Sequence, residues 1–546
     1  MFPRFPFSQT ALTLAGSILA TLVSTAEPFQ ANGIKVGEVG PEEAVIWCRL
    51  TSVAEPDPLS QTAAAPGADG EVRVTYWPRD DESASRSTAW QTVDPESDHT
   101  RQFRLNDLAP DTRYRVKSEA RTPGGETITS ATEGRFATAP AADATDPVLA
   151  TVVTCQGIGT VDSIRDGHRV YRDMLKLDPD FFVHTGDILY YDKNYSGRGK
   201  DREQVFSKNP EQARQRWNRM FSYAWNREFS ANTACYFLKD DHDTLKNDTW
   251  PGQTYGDLTF EQGVAIFKEQ TPSGPLPYRT RRWGRDLQIW LLEGRDFRSS
   301  NRMDDGPEKT ILGAAQKRWL KRTIRASDAT FKIVMSPGPV VGPDKRGKSD
   351  NHSNAAFQTE GDELREFFSG EPRTYVVNGD RHWQYASIDP ETGLREYGCG
   401  PINAAHDFGG HPGYDPEFHS FFAARGGFLS ILVERRDGTP QITFRYHDID
   451  DTDPETGLAR ITYEETLRKT EFGPTSLAAN HRDQRITVEA ATRAGRFYHL
   501  EKSDDLNEWT AAGTNLETRG NSLEYAAELR APSSRHYRLV ETAEPR

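Results

Sequence analysis

His184 to Tyr190 reads HTGDILY and follows directly on the apolar triplet Phe181 to Val183. A short apolar run that ends in Gly, Asp and Tyr reads as a strand giving way to a turn, so Asp187 and Tyr190 lie just beyond a strand's carboxyl end. The same figure recurs along the chain. Val148 to Thr154 runs into Cys155 and Gln156, Ala234 to Leu238 into Asp240, Asp241, His242 and Asp243, and Thr374 to Val377 into Asn378, Asp380 and His382. A single Asp or His after a strand is more often a turn or cap residue. Four strands that all end in thiol, carboxylate, phenol or imidazole groups point instead to one shared centre, because ligands of an open α/β sheet collect beyond the strand ends.

Outward from these strands, the stretch from Val148 to about Lys469 alternates short apolar runs with helical patterns, the texture of an α/β domain. Trp217, Met220, Phe221, Ala224 and Trp225 share one face of a long helical segment and read as core. Before this block, Ala44 to Leu50, Val72 to Trp77 and Arg113 to Glu119 are strand-like runs parted by Pro, Gly and Asp, the pattern of a small sandwich. Its segment LAPDTRYRV, Leu108 to Val116, resembles the tyrosine corner of fibronectin type III domains. Ala139 to Pro147 is a small-residue linker, and from Gln484 onward short runs such as RFYHL and HYRLV announce another small β domain.

Composition narrows the function. The chain has 546 residues, enough for several domains, with 36 % hydrophobic and 27 % charged residues. A net charge of -14 argues against a nucleic-acid partner and leaves an anionic substrate dependent on local cations or metals. Residues 1–26 combine Arg4, an apolar stretch from Ala11 to Val23, and Ser24 and Ala26 at the positions expected before a cleavage site. A signal peptide is expected, hence a periplasmic or extracellular protein with no membrane span after cleavage. Cys48, Cys155, Cys235 and Cys399 are too few for a disulfide scaffold, so Cys155 at a strand end needs a chemical explanation.

Six segments supply a family. VVTCQ at Val152 to Gln156, HTGDILY, KDDHDTLKND at Lys239 to Asp248, LLEGRDFRS at Leu291 to Ser299, TILGAAQKRWL at Thr310 to Leu320 and NGDRHWQ at Asn378 to Gln384 resemble the PhoD-like alkaline phosphatases and phosphodiesterases, within the calcineurin-like metallophosphoesterases. The resemblance implies an α/β fold, a β-sandwich flanked by helices, preceded by a fibronectin-III-like sandwich and followed by a small β domain. The expected units are a signal peptide at 1–26, the sandwich at 27–140, the phosphoesterase domain at 148–470 and the last domain at 484–546. The implied reaction is hydrolysis of phosphate mono- or diesters by a hydroxide generated on two cations, which a shared carboxylate bridges. By this resemblance Asp187 bridges; Cys155, Tyr190 and His382 hold the first metal, Fe(III); Asp241, Asp380 and Asn247 serve the second, Ca2+, with Mg2+ or Mn2+ as alternatives suited to oxygen ligands.

His242 is expected to protonate the leaving alkoxide or bond a phosphate oxygen, its ring held by Asp243, and Arg295 and Arg381, with Arg298 as the weakest candidate, to clamp phosphate. His406, His411 and His419 form a further group in a Gly-rich loop. Two departures stand out. Arg4 is solitary where exported relatives often carry twin arginines, and Ile333 to Val341 lacks the superfamily's additional His; either DNHSN, Asp350 to Asn354 with His352, compensates or oxygens alone hold the second metal. The alternative function is an exported surface- or polymer-binding protein with an inert central domain; intact donors at all four strand ends argue against it. The expected partner is a small phosphate ester, and the C-terminal domain is a candidate for surface association.

Overall fold

The computed structural model describes residues 27–60, 64–193, 206–406 and 410–469, together with strands between 477 and 542. Val148–Val153, Phe181–His184 and Ala234–Phe237 are almost wholly buried on both faces, which is why they read as unbroken apolar runs rather than alternating ones. They pair in parallel, with Phe181 opposite both Ala150 and Ala234. Gly427–Arg436, Thr439–Thr452 and Ala459–Arg468 extend this sheet on one side, and Ile34–Gly37, Ala44–Arg49 and Thr100–Leu105 on the other, for nine strands in all. A second, seven-stranded sheet contains Leu287–Leu291, Phe331–Ser336 and Thr374–Asn378 in parallel at its centre.

The two sheets face each other because successive strand residues point to opposite sides. Ala150, Val152, Phe181 and Val183 share a core with Ile289, Leu291, Ile333, Met335 and Val377. Their neighbours Val153, Phe182, Cys235 and Phe237 turn away, onto helices at Arg169–Leu175, Pro210–Met220, Ala224–Asn232 and Phe260–Gln270. Trp290, Val334 and Val376 pack against Gly313–Ala326 and Gln358–Gly370. The result is the expected β-sandwich between helical layers. The long aromatic helix is two helices, broken at Phe221 to Tyr223, yet Trp217 and Phe221 still stack at 6.0 Å within the core.

Five strands near the N-terminus, led by Glu71–Pro78, Arg113–Arg121 and Ile128–Ala137, form a third sheet. It packs on Ile34, Val36 and Ile46, so the first strands serve both the N-terminal sandwich and the nine-stranded sheet, which they join through Gly37 opposite Cys235. Tyr114 makes the expected corner, its hydroxyl accepting from the Ala109 N–H at 2.9 Å. The C-terminal β region contains two three-stranded sheets, one around Arg485–Ala491 and one around Phe497–Ser503. All four cysteines are buried and free.

Candidate metal centre

The parallel strands of both sheets end at the same edge of the sandwich, and Cys155, Asp187, Asp240, Asp241 and Asp380 follow those ends. Three of them, Cys155, Asp187 and Asp380, have backbone φ of 49°, 55° and 65°, left-handed conformations that non-glycine residues adopt at a cost. Gly186 has φ 118°, and a Cβ there would lie 2.6 Å from Cβ of Asp240, so glycine is what lets this turn approach its neighbour. A Cβ at Gly379 would come within 2.5 Å of the hydroxyls of Thr154 and Thr185. Backbone strain and glycine close-packing therefore coincide with the candidate ligands.

Asp187 is common to three groups of donors whose atoms lie within 4.8 Å of one another: Cys155, Asp187 and His382; Asp187, Asp241 and His242; Asp187, Asp240 and Asp380. One of its oxygens faces Sγ of Cys155 at 3.4 Å and accepts from the Tyr190 hydroxyl at 3.1 Å, and the other accepts from the His242 N–H at 3.4 Å. Tyr190 also lies 3.5 Å from Nε2 of His382. Burial raises the Asp187 carboxyl well above the carboxylate range, and Asp241 and Asp240 add to the shift. Asp240 is raised in the same way by burial despite Arg295, and burial lifts Asp380 to about 6. The Asp240 Oδ2 atom is buried without a hydrogen-bond partner.

Crowded buried carboxylates with an orphaned oxygen fit cations, which would replace the protons these groups otherwise need. On the other side of Asp187, burial and the Asp187 carboxylate raise the Cys155 and Tyr190 hydrogens' pKa well above the usual values, so ionising either ligand calls for a neighbouring cation. Asp241 behaves differently. Burial works to raise it, but Arg295 and His242 prevail and hold it well below the usual range.

The expected clamps are engaged with carboxylates. Arg295 is buried with Nε 2.5 Å from Asp240 and a terminal nitrogen 3.8 Å from Asp241. Arg381 contacts Asp344 at 2.9 Å, Asp350 at 3.1 Å and Asp380 at 2.8 Å. Arg298 donates to Asn301 and to the Asp350 carbonyl. Arg295 and Arg381 thus hold acidic residues, as a buried guanidinium calls for carboxylate partners, whereas the oxygens to which Arg298 donates are neutral. Asn247 is exposed, and its tie to the site is its backbone N–H, donated to Asp192 at 2.8 Å. The ring of His242 is held by Asp192, 2.6 Å from Nδ1, and not by Asp243. Asp243 instead accepts from the N–H groups of Asp240 and Ile188, which fixes the two ligand-bearing turns together. His352 does not reach the cluster; it pairs with Glu360 at 3.0 Å.

Sequence reasoning gave no role to three further groups. His406 is fully buried and its Nε2 lies 2.8 Å from the Tyr190 hydroxyl, whereas His411 is exposed and His419 bonds within its own loop. Glu293 accepts from the N–H groups of Arg295 at 2.6 Å and Asp296 at 3.1 Å and pairs with Lys239, the residue before the acidic pair. Gln316 clasps both backbone groups of Glu293 at 2.8 Å, which explains the glutamine of the LGAAQ segment. The spacing of LLEGRDFRS and LGAAQKRWL carried that signal, but neither segment names its partner.

The PhoD-like phosphatase model matches residues 149–408, and the N-terminal domain model of the same family matches residues 17–140. The chain belongs to the PhoD-like phosphatase family. It is a metal-dependent phosphoric ester hydrolase by that membership. Among solved structures, one described as the structure of PhoD is 18 % identical, with 82 % of this chain and 91 % of that one covered and a TM-score of 0.63. Purple acid phosphatase PPD1 from yellow lupin (Lupinus luteus) seeds is 12 % identical over 80 % of this chain and 74 % of its own, with a TM-score of 0.54. Both likenesses bear on the fold. No curated protein matches the chain.

Proposed function

We propose that this PhoD-like phosphatase is an exported enzyme that hydrolyses phosphate mono- or diesters at a dinuclear centre bridged by Asp187. The observation that carries the reading is that Asp187 belongs to all three donor groups. Cys155, Tyr190 and His382 would hold one cation, and Asp241, Asp240 and Asp380 the other. Thiolate and phenolate favour Fe(III) at the first position, and carboxylates favour Ca2+, Mg2+ or Mn2+ at the second. Bound there, two cations supply Lewis-acid charge and a nucleophilic water near neutral pH.

The remaining roles fall to the chain's own residues. Asp192 fixes the tautomer and direction of His242, leaving its Nε2 to hand a proton to the departing alkoxide. Arg295 and Arg381 orient the carboxylates that would hold the second cation, and are the guanidinium groups nearest to clamp a phosphate bound there. Residues 1–26 support export, and among the described residues no helix is long and apolar enough to cross a membrane. The units 27–140, 148–470 and 484–546 remain our division of the exported chain, with the last as the candidate for surface association.

Elemental analysis of the protein purified from its own cell envelope, with hydrolysis of a monoester, a diester and a phospholipid, tests the reading. Two metals per chain and metal-dependent turnover are expected; a metal-free protein that hydrolyses none of these esters, with or without added Fe and Ca2+, overturns it. In the same assay His242→Ala should lower kcat by about 10²–10⁴-fold on alkyl esters. The loss should be smaller on nitrophenyl esters, whose leaving group scarcely needs a proton. Asp192→Asn should follow the same pattern to a lesser extent, and equal losses on both esters would assign His242 to phosphate binding.

A further inference from the structure

At the opposite end of the nine-stranded sheet from the metal cluster lies an open surface cleft of about 90 Å³, whose arginines are exposed. That is well above the about 10–15 Å³ one water requires. Arg79, Arg113, Arg115 and Arg135 line it on the N-terminal side, and Asp178, Asp180 and the segment Asn232 to Ala234 on the phosphoesterase side. Asp178 to Asp180 leads into the strand Phe181–His184, and Asn232 to Thr233 into Ala234–Phe237, the two strands whose far ends bear Asp187 and Asp240.

Sheet register brings these arginines together. Arg113 and Arg115 are two apart on one strand, so their side chains point the same way, and Arg135 lies directly opposite Arg115 on the next. Arg79 continues the third strand, its N–H donated to the Arg113 carbonyl at 2.7 Å. Like charges placed directly across a sheet repel. Asp178 answers only part of this, 3.0 Å from Arg135 and 3.5 Å from Arg113, while Arg79 and Arg115 make no ion pair among the described residues. Asp180 directs one oxygen away, to the Leu149 N–H at 2.8 Å. Four guanidinium groups thus face two carboxylates in a chain whose net charge is -14.

We propose that this cleft is an oxyanion site that takes a phosphoryl group, separate from the metal centre. Guanidinium forks match the paired oxygens of phosphate, and several forks converging from adjacent strands favour a tetrahedral dianion over a monovalent ion. The phosphoryl group comes either as free phosphate, the product of the reaction proposed above, or as part of a longer phosphate chain. The site itself does not depend on that reaction.

The test is calorimetric titration of the full-length metal-loaded protein with inorganic phosphate and with tripolyphosphate, at constant ionic strength, against a sodium chloride blank. Phosphate binding that persists in Asp187→Ala, and that weakens at least tenfold when Arg115→Ala/Arg135→Ala is added to that variant, is expected. Saturation by phosphate alone marks free phosphate as the source, and saturation by tripolyphosphate at lower concentration marks a longer chain. Asp178→Asn supplies a change of opposite sign. Its φ of 49° suits asparagine, and releasing Arg113 and Arg135 should tighten binding several-fold, which a damaged fold would not do. In the Asp187→Ala background, phosphate binding that is absent, that survives addition of the double arginine change, or that is unchanged or weaker on addition of Asp178→Asn overturns the proposal.

Discussion

The two sides of Asp187 are built on different principles. On one side, Cys155, Tyr190, His382 and His406 meet as neutral donors: burial holds the thiol and phenol protonated and keeps both imidazoles from gaining a proton. On the other, Asp240, Asp241 and Asp380 lie against Arg295 and Arg381. The first side is at peace without a metal and must surrender protons to bind one; the second already carries part of its charge, and arginines hold it in place. A centre made this way discriminates between cations by the chemistry of its halves as well as by size, since deprotonating a thiol rewards a strongly acidic metal and a carboxylate set does not.

Asp187→Ala is the change that should break this comparison altogether, because it removes the residue that, among the described residues, all three donor groups share. Loss of both metals by elemental analysis, and of nearly all turnover, is expected. Two metals retained per chain would show that the halves stand alone and that Asp187 bridges nothing.

Glu293→Gln should separate the halves. Its carboxylate fixes Lys239 and the Arg295 N–H, and through them Asp240 and Asp241, on the carboxylate side of Asp187. Residues that support metal ligands typically contribute 10–100-fold in affinity. The variant should therefore weaken Ca2+ or Mn2+ binding by about that factor, while a Tyr190-dependent iron charge-transfer band keeps its position. A band that shifts as far as the affinity falls would merge the two sides into one.

How much of this could be read from the chain depends on distance along it. The ligand turns were legible because each sits immediately after an apolar strand, as with HTGDILY behind Phe181 to Val183. The partners of those ligands were not. Asp192 and Asp243 are equally plausible neighbours for His242 in sequence, and Asp243 is adjacent; the turn after Tyr190 brings Asp192 to Nδ1, while Asp243 points to the backbone of Ile188. Arg295 and Arg381 read as phosphate clamps in sequence, and their pairing with buried carboxylates is a tertiary outcome that composition does not announce. The sandwich at the N-terminus was visible in its alternating strands, but the pairing of Gly37 with Cys235 was not, because no local pattern encodes which sheet a strand will extend.

The smallest expected effect concerns the acidic side without its metals. Burial pushes Asp243 up to about 7 and Asp380 to about 6. Carboxyls whose folded pKa lies above the unfolded one bind protons more tightly when folded, so their contribution to stability is complete below about pH 4 and is lost as pH rises through 6 and 7. Over the same range the buried imidazoles of His382 and His406 act in the opposite sense, so the acidic side is read by difference: relative to Asp380→Asn, the metal-free protein should lose melting temperature from pH 5 to pH 8 by on the order of a few degrees. Cations take the place of those protons, so loading with Ca2+ and Fe should raise the melting temperature most at pH 8 and flatten or invert the slope. A metal-free protein whose pH slope matches that of Asp380→Asn would mean that the arginines already neutralise the carboxylate side, and that its difference from the Cys155 side is one of ligand type alone.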